Sequence, residues 1–269
     1  MRGIGIIGAG YFGGLHAEAI ARLEGASTAA VASGQRDQAE QLAAAFGAHV
    51  YDDWRGLIED PAVEVVVLAT PHHLHAEMAV AALKTGRSVL LEKPMAPTVA
   101  ECDAILAAER SGGGRLMVGH LPRYLKPLVV VGNLVAGGTF GRPLSGTSIM
   151  VKRWMQGNRR PWHLDRATGG GMLMTAGIHA LEQLVWLMGS PVASVSGMAA
   201  TLFHQQSADD TAFLLLRFAD GRVGQVTSIG YRDGATSSEL SLQCECGVID
   251  VDLARGVRIG TDGSWQEVG

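Results

Sequence analysis

The chain has 269 residues, enough for one large domain or two smaller ones with a sizeable buried core. A hydrophobic content of 47%, with 18% charged residues and a net charge of −4, argues against a nucleic acid or an anionic membrane as partner. The three cysteines, Cys102, Cys244 and Cys246, are odd in number, and the last two fall in a strand-like run. They predict reduced thiols rather than a disulfide framework. No apolar run reaches membrane-spanning length, and Met1 to Gly8 is too short and strand-like for a signal peptide. A soluble cytoplasmic protein is expected.

Ile4 to Ile7 reads as a short strand, followed at once by Gly8-x-Gly10-Tyr11-Phe12-Gly13 and a helix through His16, Ala19, Ile20 and Leu23. Strand, glycine fingerprint and helix in that order predict a dinucleotide site. The first glycine makes the tight turn, the second admits a pyrophosphate, and the third lets helix and strand pack closely. Tyr11 and Phe12 open the helix whose amino end would face the phosphates. Ala29 to Ala32 is the second strand, ending in Ser33-Gly34-Gln35-Arg36. No acidic residue stands there to take a ribose 2′-hydroxyl, and Arg36 is within reach of a 2′-phosphate. That tilts the expected cofactor towards NADP, with NAD as the other choice.

Helices are predicted over 38–46 and 54–58, with a brief strand at Val50-Tyr51 between them. Val63 to Thr70 is an apolar strand running into Pro71-His72-His73-Leu74-His75. At the carboxyl end of a strand, Thr70, Pro71, His72 and His75 should lie against the cofactor. Three close histidines invite a metal, but no cysteine or carboxylate completes a site, and none is expected. A helix over 76–84 leads to the strand Val89-Leu90-Leu91, which ends in Glu92-Lys93-Pro94. Lys93 at that strand end is a candidate for chemistry, and Glu92 beside it for the cofactor site. A helix over 99–110 and a sixth strand, Leu116 to Gly119, complete this half.

These segments resemble the glucose-fructose oxidoreductase and inositol dehydrogenase family, known as Gfo/Idh/MocA. The marks are the glycine fingerprint, Ala69-Thr70-Pro71-x-x-Leu74-His75, Glu92-Lys93-Pro94, Val118-Gly119-His120-x-x-Arg123-Tyr124, and Gly169-Gly170-Gly171 followed by His179. The resemblance implies an α/β chain: a Rossmann domain with a parallel sheet over 1–121, then an α+β domain with a largely antiparallel sheet over 122–269. It implies NAD(P)-dependent hydride transfer at a carbinol or carbonyl carbon of a sugar, polyol, dihydrodiol or related ring. Lys93 would be the catalytic lysine and His179 the acid-base residue, with His120 and Arg123 near the substrate. The family often has an aspartate four residues before that histidine, where this chain has Thr175. The chain also ends sooner than is usual for the family.

In the second half, a helix over 128–136 and a strand over 144–151 precede Lys152-Arg153-Trp154, Arg159-Arg160 and Trp162-His163. Arg153 and Trp162 are substrate-binding candidates, and Arg153, Arg159 and Arg160 hint at an anionic group on the substrate, because arginine grips carboxylates and phosphates bidentately. A solvated loop or an oligomer contact would show the same mixture. The glycine run should let the chain pass close to a ligand and enter a helix over 172–188. On that helix Thr175, His179 and Glu182 would share one face, with Thr175 or Glu182 orienting His179. From Val192 onward strands and turns alternate at 193–203, 211–218, 222–231, 239–246 and 248–252, with two more expected around 257–265. They predict an antiparallel sheet with one wet face, suited to a homodimer or homotetramer. Two functions compete: an oxidoreductase with a small-molecule substrate, and an inactive cofactor-binding regulator on the same fold. An exported redox-assisted glycosidase fits less well, since its histidine motif is spelled differently.

Overall fold

The computed structural model describes residues 1–268. The chain forms two compact units, Met1–Gly119 and a second beginning at His120. This division falls two residues before the expected boundary, which would cut the 3₁₀ turn Leu121–Tyr124.

The first unit holds six strands: β1 (Arg2–Ile7), β2 (Ala26–Ala32), β3 (His49–Tyr51), β4 (Val65–Leu68), β5 (Ser88–Leu91) and β6 (Leu116–Val118). They pair in parallel in the order β3-β2-β1-β4-β5-β6. The helices are α1 (Tyr11–Ile20), α2 (Arg36–Phe46), α3 (Trp54–Glu59), α4 (His75–Lys84) and α5 (Val99–Gly112). Covered on both faces, the strands need no polar alternation, and β1 is buried from Gly3 to Ile7. Leu57, Val66, Leu68, Ala79, Leu83, Leu91 and Ile105 fill the main core. α5 starts at a capping box: the Thr98 hydroxyl accepts from Glu101 N, and the Glu101 carboxylate accepts from Thr98 N. The strand order reverses between β1 and β4, and ligands settle outside the carboxyl ends of strands at such a point.

The second unit is an eight-stranded sheet with helices on one face. Its strands are β7 (Pro143–Arg153), β8 (Val192–Ala200), β9 (Thr211–Phe218), β10 (Val223–Tyr231), β11 (Ser237–Cys244), β12 (Gly247–Asp252), β13 (Gly256–Thr261) and β14 (Ser264–Val268). The order is β14-β13-β12-β11-β7-β10-β9-β8, antiparallel throughout except for the β7–β10 pair. The helices are α6 (Lys126–Ala136), α7 (Pro161–Leu164) and α8 (Ile178–Met188). Leu128, Val131, Leu184 and Leu187 pack on Val226, Leu240, Leu242 and Ile249. The single helix expected from residue 172 instead opens with a π turn, Leu173–Gly177. The chain there runs close to the sheet: a Cβ on Gly177 would stand 2.3 Å from Ser228 Oγ.

Asp210 fixes the loop before β9. Its Oδ1 accepts from Leu202 N and the Thr211 hydroxyl, and its Oδ2 accepts from the amides of Phe203 and His204. Burial alone would raise this carboxyl, but those donors hold it below the usual aspartate range. A depressed folded-state pKa stabilises the protein above the ordinary aspartate range and stops doing so as pH falls through the folded value. Asp210→Asn should therefore cost about 3 kcal/mol at neutral pH. The difference from wild type should shrink as pH falls below the ordinary aspartate range, as followed by urea unfolding.

Candidate active site

The loop after β1 is built by backbone contact. A Cβ on Gly8, at φ 105°, would stand 2.3 Å from the Ala69 carbonyl oxygen, and one on Gly13 would stand 1.9 Å from the Gly8 carbonyl oxygen. Gly10 differs, since no described atom lies within 4 Å of a Cβ built there. Gly8 and Gly13 are thus required by packing, while Gly10 borders open space at the amino end of α1. The first amides of a helix have no intrahelical acceptor, so this cradle suits a pyrophosphate. Tyr11 and Phe12 are exposed beside it, with ring centroids 5.4 Å apart.

Past the end of β5, Glu92 and Lys93 are both buried, at 6% and 9% exposure. His16 Nε2 lies 2.9 Å from Glu92 Oε1, which ties α1 to the end of β5. Lys93 Nζ lies 5.7 Å from the centre of the Phe12 ring, within cation–π range. Lys93 therefore sits beside the amino end of α1. Glu92, expected at the cofactor, is instead turned into His16. The peptide bond between Lys93 and Pro94 is cis.

His75 also departs from expectation. It is fully buried, with Nδ1 2.9 Å from the Pro94 carbonyl and Nε2 3.0 Å from the Thr70 carbonyl. A side chain enclosed in this way joins the loop after β4 to the loop after β5. Burial lowers its pKa, against the pull of both carbonyls. His72 is buried too, with its ring 5.8 Å from that of His75, while Thr70 and Pro71 are half-buried. Among the described residues no group of three or more His, Cys, Asp or Glu could hold a metal ion.

At the end of β2, the Ser33 hydroxyl accepts from Gln35 N. The Arg36 guanidinium is shared by Glu40, at 2.7 Å, and Asp52. Arg36 is therefore a paired cation, and a 2′-phosphate would have to displace two carboxylates.

In the second unit, His179 lies on the first turn of α8, and its ring centroid is 6.4 Å from that of His120, edge to face. Thr175 is buried within the π turn. The glycine run packs against protein rather than against open space. A Cβ on Gly169 would stand 2.2 Å from the Trp162 carbonyl oxygen, and one on Gly171 2.5 Å from that of Asp209. Arg123, expected at the substrate, forms an ion pair with Glu182 and lies over the Trp186 ring, 5.0 Å from its centre. Glu182, expected to orient His179, is thereby committed to Arg123. Burial raises its pKa while Arg123 opposes the shift. Arg153 ends β7 exposed, and Trp162 stacks on His163 with centroids 3.6 Å apart.

Asp209 was not visible as a site-forming residue. Its carboxylate accepts from Leu173 N at 2.9 Å and its carbonyl from Met172 N at 2.9 Å, so it caps the π turn that leads to His179. The one available signal was a pair of acids, Asp209-Asp210, set against the apolar strand beginning at Thr211.

Residues 2–120 match the family model for an oxidoreductase family with an NAD-binding Rossmann fold, and residues 129–250 match the GFO/IDH/MocA C-terminal domain. The inositol 2-dehydrogenase of Rubrobacter xylanophilus is 30% identical over 240 residues, covering 86% of this chain and 67% of the relative. A 1-carboxy-3-chloro-3,4-dihydroxycyclohexa-1,5-diene dehydrogenase of Comamonas testosteroni is 32% identical over 184 residues, 68% of this chain and 46% of the relative. The chain thus spans between about half and two thirds of the length of these curated relatives. A solved structure of levoglucosan dehydrogenase in complex with NADH is similar with a TM-score of 0.89. The likeness covers 99% of this chain and 79% of that one, at 25% identity. With both domain patterns present in order, the chain belongs to the GFO/IDH/MocA oxidoreductase family.

Proposed function

We propose that the protein is a nicotinamide-dependent oxidoreductase acting on a carbinol or carbonyl carbon of a ring polyol, sugar or dihydrodiol. The observation that carries this reading is the backbone cradle of Gly8, Gly10 and Gly13 beside the buried ammonium of Lys93. Relatives named for the oxidation of inositol and of a dihydroxycyclohexadiene support it. When bound, the nicotinamide supplies the hydride acceptor. Lys93 offers a fixed positive charge to the oxygen that becomes an alkoxide, and His179 takes the hydroxyl proton and passes it to solvent. An inactive cofactor-binding regulator is the second reading, favoured by Thr175 where the family often has an aspartate.

The cofactor reading is NAD(H), with NADP(H) accepted. Ser33 repels no phosphate, and Arg36 is already neutralised by Glu40 and Asp52. Self-association is supported by Met198, Phe213, Leu215 and Val223, all exposed on the sheet. Among the described residues no helix is long and apolar enough to cross a membrane, and the three cysteines are free. The free thiols favour a reducing compartment such as the cytoplasm.

Gly10→Val should leave the melting temperature within a few degrees of wild type yet weaken NADH binding at least tenfold by fluorescence titration. Gly13→Val should lose both stability and binding. Arg36→Ala should change the ratio of NADPH to NADH affinity by less than about threefold, the outcome for an arginine held by carboxylates. Turnover is best sought on a panel of inositols, anhydrosugars and cyclohexadiene diols by nicotinamide absorbance. Lys93→Met and His179→Asn should each lower it by about 10²- to 10⁴-fold with NADH affinity retained. Near-normal turnover in Lys93→Met would remove that residue from the mechanism.

A further inference from the structure

β7 leaves the centre of the sheet as Met150-Val151-Lys152-Arg153, in unbroken register with β10, where Met150 pairs with Ser228 and Lys152 with Gly230. The even-numbered residues face the helices. A Cβ on Gly146 would meet Leu184 of α8, Ser148 is buried, and Met150 packs against the cluster of Trp154, Met172 and Ala176. Alternation places Lys152 on the same face. Its cross-strand neighbour Gly230 lies against Trp154 and Met172, so Lys152 leaves the strand beside the π turn that carries Thr175.

Arg159 returns to this place from the following loop. Its guanidinium carbon lies 4.3 Å from the centre of the fully buried Trp154 ring, and its Nε donates to the Trp154 carbonyl at 2.9 Å. Its two terminal nitrogens have no partner among the described residues. Seven other arginines (36, 55, 123, 142, 222, 255 and 258) each meet a carboxylate. Neither Lys152 nor Arg159 does, although both are half-buried. Burial pushes the Arg159 guanidinium down to about 10. Burial, followed by repulsion from Arg159, lowers the Lys152 ammonium. Two like charges half withdrawn from water without a counter-charge are costly, and an oxyanion between them offsets the repulsion and takes the donors now left to solvent.

We propose that Lys152 and Arg159 form an oxyanion subsite that selects ring substrates bearing a carboxylate or phosphate. This narrows the substrate class of the proposed oxidoreductase and rests on that reading for its purpose, though not for its detection. The sequence offers Arg153, Arg159 and Arg160 for an anionic group, and the structure puts Lys152 beside Arg159 in place of Arg153. The strand's alternation turns Arg153 to the opposite face.

The chain has four lysines, so reductive ¹³C-methylation labels four side chains besides the α-amino group, with Lys152→Gln identifying the signal of Lys152. Cyclohexanecarboxylate, cyclohexyl phosphate and neutral cyclohexanemethanol are titrated into the NAD-saturated protein. At least one anion should bind ten or more times tighter than the alcohol and raise the Lys152 pKa, and the better anion names the group. Lys152→Gln should abolish the preference with NADH affinity unchanged. Arg159→Gln should do the same where circular dichroism shows it folded. Equal binding of anion and alcohol, no binding of any of the three, or a preference that survives Lys152→Gln would overturn the subsite. The Lys93 turnover assay is read on carboxylated and phosphorylated ring polyols as well as neutral ones, so failure of the oxidoreductase reading shows there and leaves this binding result standing.

Discussion

The loop after β1 depends on the approach of one backbone to another without side chains between them. Gly13 lies against the carbonyl of Gly8, and Gly8 lies against the carbonyl of Ala69. These two contacts set the amino end of α1 close to the ends of β1 and β4. The position of Lys93 against Phe12 and the reach of His16 to Glu92 follow from where α1 starts. A β-carbon in either contact would push the helix away, and the buried residues past β5 would lose what encloses them. The polar groups of the first unit are therefore placed by main-chain packing, with hydrogen bonds adding direction.

The second unit solves a different problem. A helix that begins inside the protein exposes unmet amides, and here Asp209 meets two of them, one by its carboxylate and one by its carbonyl. The adjacent Asp210 gathers the loop of Leu202 to His204. Two consecutive acids thus hold the π turn and its supporting loop, and burial of Asp209 raises its pKa against the Leu173 amide. The negative charge also lies near the positive end of the helix dipole. Ser228 contributes no such bond. Its hydroxyl is buried without a hydrogen-bond partner among the described residues, at the point where Gly177 allows close approach.

Much of the first unit was legible because buried parallel strands are unbroken apolar runs and the glycine spacing has a mechanical cause. The strand at Thr211–Phe218 was equally plain from its pattern. What the sequence did not show shares one origin, in partners distant along the chain. Nothing local shows that Arg123 will meet Glu182, 59 residues on, or that His75 will be enclosed by carbonyls from two loops. A π turn carries the same residues as an α turn, so periodicity could not reveal Leu173–Gly177. Arg36 meets a local partner in Glu40 and a distant one in Asp52, which follows β3 in the chain.

Arginine in this chain shows how little a residue type decides by itself. Arg123 and Arg159 both lie over tryptophan rings, at 5.0 and 4.3 Å, and both are partly withdrawn from water. Arg123 has Glu182 beneath it, so its charge is balanced within the fold. Arg159 has the carbonyl of Trp154 and, for company, another cation. A fold can keep an unbalanced pair only if packing elsewhere covers its cost, and the wholly buried Trp154, held by Gln206 through its indole nitrogen, supplies such packing. Rigid support beneath unmet donors is the arrangement that lowers the entropy cost of taking a ligand. The same geometry that is a defect in a structural arginine becomes, beside the turn carrying Thr175, a means of selecting charge.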